Sequence, residues 1–599
     1  MLRLVRRSVP VCVCVSEIGG DSMASSLVRN KIPPYSLSMV LWILSIIVRM
    51  LIASQSHSGM GKPPMYGDYE AQRHWMEITL WLPIKEWYFQ TDGNDLQYWG
   101  LDYPPLTAYV SWFFGYLAWI SGPLLQMPEL QKLVALNSSR GIESPQSKVF
   151  MRITVILCDA AFLVPVILRL GAIVWHASGE ALSIHPSREG GGSKRPEKAP
   201  QVLYMLLCLL CPSLLLIDHG HFQYNGVCIG LALMAATIYV ECNIAETLSS
   251  DLLVSVLFCL SLNFKQMALY YSPVFFFALL RRCLDRGKQP NGRMVWAPVV
   301  LHLVSIASSV IFTFALLWAP FCFFADRGEC VPGLLQVLHR LFPFSRGIFE
   351  DKVANLWYAL SVAIDVRQFM ATPVLVRCSF FATLVLLVPV GISLLTLPSK
   401  NRHVIAGASS KNNPALILLA LVNSALAFFL ASFQVHEKSL LLALVPAAML
   451  VPYDPLMCTW FQVLGAWTMY PLLQKDGLSC AYLICIVGYV RLAWAYSSKM
   501  NPIATRDRVQ TVRLCIVSLS VFGMIVLHIA EICVSPPARF PHLYPALFSL
   551  YGAVNLVVVY IMGVMWQLQA SRVVDFAPLL EFLSLSEEAN PVQYGPKLD

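Results

Sequence analysis

YGDYEAQRHWMEITLWLPIKEWYFQTDGNDLQYWGLDY, residues 66–103, is a polar, acidic and aromatic stretch set between two oily segments. Asp68, Glu70, Glu77, Glu86, Asp92, Asp95 and Asp102 share it with only Arg73 and Lys85 as fixed cations. A carboxylate with few competing salt-bridge partners is available as a general base, so a catalyst is expected here. The surroundings decide the fold class. The 599 residues are 57% hydrophobic and 13% charged, with a mean hydropathy of +0.61, far more apolar than a soluble domain. Crossing roughly 30 Å of hydrocarbon takes about 20 apolar residues in a helix, and about fifteen candidate runs recur between Leu37 and Gln567. The chain reads as an all-α polytopic membrane protein.

Charge orients it. Arg3, Arg6, Arg7 and Arg29 flank VPVCVCV, which is too short to span and lacks a clear cleavage site, so residues 1–34 read as a cytosolic tail. The acidic first loop, residues 55–104, then lies outside. Three basic clusters mark cytosolic loops in the same frame: Arg281, Arg282, Arg286, Lys288 and Arg293; Lys400, Arg402 and Lys411; Lys499, Arg506 and Arg508. The 321–373 loop, VHEKS at Val435–Ser439 and SPPARFPHLYP near Pro536 fall on the outer side with the acidic loop. A cytosolic C-terminal tail, residues 569–599, requires an even number of crossings in the 35–568 membrane domain, and about 14 is the preferred count. Alternation fails between Pro105 and Leu280. The loop from Met127 to Lys148 and the basic stretch from Arg188 to Lys198 cannot both be cytosolic unless one element does not cross. Asn137-Ser138-Ser139 is a glycosylation sequon that would report the side of the first of these loops.

The formal charge of +8 resides in short loops that orient helices, so nucleic acid is not an expected partner. Cys208 and Cys211 form a CxxC within an apolar run with no second pair, which gives no metal site. Cys322 and Cys330 flank an external loop and can pair in an oxidising compartment, although two separate thiols are the preferred reading.

Glu70, Arg73 or His74, and Glu77 share one helical face, which suggests an amphipathic helix on the membrane with Glu70 and Glu77 as solvated charges. Asp68 stands where an N-cap carboxylate sits, so capping and catalysis are both open to it. Pro104 and Pro105 restrict where Asp102 points. His219, His221, Gln223, Tyr224 and Asn225 break an apolar stretch, as do Asn263, Lys265 and Gln266, and polar residues at span ends are costly. The two histidines lack an evident third metal ligand. Arg340, Arg346, Glu350, Asp351 and Lys352 lie in the outer loop, and His436, Glu437 and Lys438 begin a later span. Their cations can hold a phosphate or snorkel to the interface.

GDYEAQRHW (67–75), LQYWGLDYPPLTAY (96–109), DHGHFQYN (218–225), RLFPFSRGIFEDKVAN (340–355) and VHEKS (435–439) occur in this order. With these motifs the chain, from about Lys31 onward, resembles the endoplasmic-reticulum glucosyltransferases that use dolichyl-phosphate-glucose to extend a lipid-linked oligosaccharide. EAQRHW and LQYWGLDYPPLTAY are similar to the branch adding the first glucose, with the second-glucose branch as the alternative. A lipid or sugar transporter is the alternative from another class. The resemblance implies a GT-C fold with lumenal amphipathic helices in the endoplasmic-reticulum membrane, and a lumenal active site. It further implies inverting transfer from a β-linked donor to form an α-1,3 bond. By the same resemblance Asp68 is the base, and Asp102 and Glu350 make helper or sugar contacts. His436 and Lys438, with Arg346 or Lys352 in reserve, bind the donor phosphate. The implied partners are dolichyl-phosphate-glucose, the dolichyl-pyrophosphate-linked oligosaccharide and membrane lipid. No metal or other cofactor is expected. The N-terminal 30 residues and the Ser187–Lys198 insert depart from the family pattern.

Overall fold

The computed structural model describes residues 35–183, 198–242, 247–289, 291–342, 352–364, 366–396, 413–500, 508–571 and 573. Both expected tails, apart from a few residues at the start of the C-terminal one, lie outside the described residues. So do the insert up to residue 197, the Lys400, Arg402 and Lys411 cluster, Arg506, Arg346 and Glu350. Apart from two isolated bridges, the regular structure among the described residues is entirely helical.

Ten helices, from Ser36–Ala53 to Leu543–Ala570, are long and apolar enough to cross a membrane. Asn225–Glu241 and Leu248–Phe264 are shorter apolar helices. Leu441–Ala448, and Pro455–Thr468 with Tyr470–Lys475, supply two more segments. The described residues thus hold ten candidate spans beside an expectation of about fourteen, and Leu441–Ala448, at 8 residues, is too short to cross by itself. The short ones are interior: every residue of Leu441–Ala448 is buried, as is 94% of the neighbouring Pro414–Ala431 helix. A helix enclosed by other helices need not match the lipid thickness by itself.

Arg169 pairs with Glu241 at 2.7 Å, Arg281 with Asp285 at 2.9 Å, and Arg513 with Asp454. Asp476 and Lys438, hundreds of residues from the first loop, converge on it: Ser56 donates a very close bond to the Asp476 carbonyl, and Lys438 pairs with Asp68 at 2.6 Å.

The element that does not cross is Pro105–Leu124. It lies along Gly67–Trp81, where a Cβ on Gly115 would stand 2.6 Å from the Met76 carbonyl, so only glycine permits the approach. Near its start Tyr109 donates to the Leu317 carbonyl at 2.7 Å, at the outer end of Trp296–Phe323. Beyond its other end the chain returns to the first loop, where the Asn137 N–H donates to Glu77 at 2.8 Å. Both ends are therefore on the side of the first loop. The loop after Met127 is on the same side as the first loop, where simple alternation puts it opposite, because a helix as long as a span lies along Gly67–Trp81.

Cys322 and Cys330 form a disulfide with their Cα atoms 4.3 Å apart, which corrects the expectation of separate thiols. A tight turn after Trp296–Phe323 brings the start of Cys330–Leu341 back against it.

Candidate active site

Asp68 sits at the entrance of the helix Gly67–Trp81. Gly67 has a φ of +71°, and a Cβ there would lie 2.5 Å from the Ser58 hydroxyl. That tight left-handed turn lets the Asp68 N–H donate to Ser58 Oγ at 3.1 Å. Asp68 does not cap the helix: the N-cap is Tyr66, and no side-chain cap bond forms. Its carboxylate faces residues from distant segments. Oδ2 accepts from Lys438 Nζ at 2.6 Å, lies 3.1 Å from His221 Nε2, and accepts a very close bond from the Gln223 amide. Among the described residues, no hydrogen bond reaches Oδ1. The side chain is 21% exposed, and Oδ1 is the oxygen left without a bond to these neighbours. Burial alone would raise the Asp68 carboxyl. The charges of Lys438 and His221, with their hydrogen bonds, outweigh burial and hold it well below the usual carboxylate range.

The partners of Asp68 are themselves fixed. His221 Nδ1 lies 2.5 Å from Asp476 Oδ2, and Lys438 Nζ lies 3.4 Å from His221 Nε2. The oxygen of the Gln223 amide accepts from Lys265 at 3.1 Å and from the Tyr103 hydroxyl at 3.4 Å. Both bonds go to Oε1, so the NH2 group must face Asp68. Lys265 also donates to Asn225 at 2.6 Å, and Asn225 donates to Asp218 at 2.7 Å. A wide-turned segment, Leu215–Phe222, carries Asp218 and His221, leads into Gln223 and Asn225, and ends with Phe222 at a φ of +93°. Such a value in a bulky side chain is strain of the kind that accompanies functional sites.

Lys265 is a positioning residue in this arrangement. Lys265→Met frees the Gln223 amide to rotate, and kcat should fall about tenfold to a hundredfold with the donor KM little changed. Steady-state kinetics of the purified protein would show this. A rise in KM alone would mean that Lys265 only helps binding.

Glu70 and Glu77 are not solvated charges. The helical spacing is as expected, but the outer loop after Met127 covers that face and buries both carboxylates with Arg73 between them. Arg73 Nη2 lies 2.6 Å from Glu70, and Nη1 lies 2.8 Å from Glu77 and 2.8 Å from the Leu133 carbonyl. Tyr98 donates to Glu70 at 2.8 Å, and Ser139 to Glu77 at 2.6 Å. Burial would raise the Glu77 carboxyl, but the His74 hydrogen bond, the Arg73 charge and Ser139 bring it down to about 2. The cluster binds the loop to the helix that carries Asp68.

Other sequence candidates lie further out. Asp102 is half-buried, and its carbonyl accepts from Gln266 at 3.1 Å. Burial raises the Tyr103 hydroxyl well above its ordinary value, and the charges of Asp102 and Asp68 add to this, so Tyr103 feels both carboxylates. His436 is exposed two residues before Lys438. Lys352 is half-buried, and its carbonyl accepts from Ser549 at 2.5 Å.

The sequence reading assigned no role to His221, Gln223, Lys265 or Asp476. The first three sit in polar breaks whose cost was evident, which was the usable signal. Asp476 in LLQKDG had none.

A profile described as the ALG6, ALG8 glycosyltransferase family matches residues 45–563. The chain is 37% identical over 561 residues to a Gallus gallus protein named dolichyl pyrophosphate Man9GlcNAc2 alpha-1,3-glucosyltransferase, covering 90% of this chain and 98% of that one. It is 37% identical over 555 residues to the Rattus norvegicus protein of the same name, covering 89% and 97%. A Dictyostelium discoideum protein with that name, prefixed "probable", is 36% identical over 541 residues, covering 88% and 94%.

Proposed function

The chain belongs to the ALG6, ALG8 glycosyltransferase family, and on that premise we propose that it transfers glucose from dolichyl-phosphate-glucose to dolichyl-pyrophosphate-linked Man9GlcNAc2. The product bond is α-1,3, and this is the first glucose of the N-glycan precursor. The observation that carries the chemistry is the Asp68 carboxylate, with Oδ2 held by Lys438, His221 and Gln223 and no hydrogen bond to Oδ1 among the described residues. The outer side is the lumen of the endoplasmic reticulum.

The acceptor mannose hydroxyl approaches Oδ1. Its O–H bond breaks as the proton passes to Asp68, its oxygen bonds to the anomeric carbon, and the bond from that carbon to the phosphate oxygen breaks. One in-line displacement turns a β-linked donor into an α-linked product. Dolichyl phosphate leaves as an anion and meets the Lys438 ammonium, so cationic stabilisation replaces a general acid. When Lys438 turns to the phosphate, Asp68 loses its nearest positive charge and becomes a stronger base. His221, held by Asp476, lies beside Asp68 as a next site for the proton. Protein cations supply the charge that a metal would, so EDTA should leave the rate unchanged, and inhibition by EDTA would contradict this.

Lys438→Met should raise the donor KM about tenfold to a hundredfold, as expected for a charge-assisted pair. It should also move the acid limb of kcat/KM upward. Without the cation, burial dominates and raises the Asp68 carboxyl, so protonation removes the base at a higher pH than in the wild type. Unchanged donor kinetics and an unchanged limb would take Lys438 out of the site.

Expression in cells lacking the first glucosyltransferase tests the proposal as a whole. Conversion of the accumulated nine-mannose lipid to its monoglucosylated form supports it. Correction only of cells arrested after one glucose assigns the second step instead, and movement of lipid without a new glycosidic bond would indicate a transporter.

A further inference from the structure

An acceptor with nine mannoses presents one reacting hydroxyl to Asp68, so distinguishing it from a shorter glycan requires contacts away from the reacting atoms. On the outer side a cavity of about 360 Å³ lies between the first loop and Cys330–Leu341. Tyr88 and Phe321, whose rings meet edge to face at 5.5 Å, form its apolar wall. Glu86, Gln90, Thr91 and Glu329 supply the polar groups, and the buried Thr91 hydroxyl has no hydrogen-bond partner.

This lining matches a sugar, with the half-buried Phe89 ring and an apolar floor of Tyr88 and Phe321 for the C–H face of a ring, and carboxylate and amide groups for its hydroxyls. Charge narrows the choice. Lys85, the cation in the lining, is paired with Asp326 at 2.9 Å, which leaves Glu86 and Glu329 facing the space and disfavours a phosphate or an anionic headgroup.

The cavity is coupled to the base by bonded groups. Tyr88 donates to the Tyr103 carbonyl at 2.7 Å, the Tyr103 hydroxyl meets Gln223 at 3.4 Å, and Gln223 holds Asp68. Gln336 donates to the Tyr88 carbonyl at 3.0 Å, and the Cys322–Cys330 disulfide joins the two helices behind.

We propose that this cavity is a subsite for a mannose on a branch of the acceptor that does not react. The inference rests on the glucosyltransferase reading above. Gly333 allows the space to be filled without strain: it lies within a helix, lines the cavity, and its nearest neighbour to an added Cβ is the Phe321 carbonyl at 3.9 Å. Gly333→Leu puts a better helix former there. A second variant, Glu86→Gln with Glu329→Gln, keeps the shape and removes the charge.

Purified wild type and both variants would be assayed with dolichyl-phosphate-glucose and two lipid acceptors, the full nine-mannose glycan and a short linear one carrying only the reactive branch. Both variants should raise KM for the nine-mannose acceptor, Gly333→Leu by about tenfold. KM for the short acceptor and for the donor should stay unchanged. Unaltered preference for the nine-mannose acceptor in both variants overturns the subsite and leaves the glucosyltransferase reading intact. Failure of the wild type to glucosylate either acceptor overturns that reading and the subsite with it.

Discussion

Asp68→Asn will stop glucose transfer while the protein still folds, with turnover falling by about 10²- to 10⁴-fold, the range general-base catalysis commonly supplies. The amide is nearly isosteric, and its oxygen can still accept from Lys438 and from His221, so the fixed side of the site keeps its shape. What is lost is an oxygen able to take a proton. The substitution also removes the negative charge that holds Lys438, leaving the ammonium freer to meet a phosphate. The fall should therefore appear in kcat, with the donor KM unchanged or lower, and steady-state kinetics with donor and acceptor varied separately would separate the two. An Asp68→Asn protein that folds and turns over near the normal rate would show that the base is elsewhere.

Arg73→Met is expected to be the most damaging change to stability in the outer region. Arg73 is fully buried between Glu70 and Glu77, and removing it leaves two buried carboxylates without their cation. Breaking a buried pair in this way costs about 3–5 kcal/mol. The loss should appear as a large fall in the unfolding temperature of the detergent-purified protein. Combining Arg73→Met with Glu70→Gln and Glu77→Gln should recover much of it, because neutral amides need no counter-ion. If the single variant is as stable as the wild type, the cluster does not hold the loop to the helix. The pH dependence has a definite sign. The Glu77 carboxyl is lowered to about 2, so its contribution in the wild type is complete above the ordinary glutamate range and is lost as pH falls through about 2. In Arg73→Met that stabilisation is weakened.

Apolar composition specified the helical membrane class, the ordered motifs carried the family, and the motif around Asp68 singled out the residue proposed here as the base. These signals are local or additive, and each survives without knowledge of contacts. The reading of Glu70 and Glu77 as solvated joined a correct helical period to a covering loop whose side the sequence left open. Their face is buried by a loop that simple alternation places across the membrane, because Pro105–Leu124 has the length of a span yet lies along the rim. The shell around Asp68 was illegible for another reason. Lys438 is 370 positions from Asp68, and His221 is 255 positions from Asp476. Only the packing of the spans brings them together, and the wide-turned Leu215–Phe222 segment that aims Gln223 has no periodic signature. The disulfide likewise depended on a turn that brings two helix ends within reach.

The most direct measurement is the structure of the product formed by the purified full-length protein from dolichyl-phosphate-β-glucose and the dolichyl-pyrophosphate nine-mannose glycan. Nuclear magnetic resonance of the released oligosaccharide should show one added glucose in an α-1,3 linkage to a terminal mannose, absent when Asp68→Asn replaces the wild type. A β-linked glucose, or the same α-linked product at the same rate from Asp68→Asn, would contradict single displacement with Asp68 as the base.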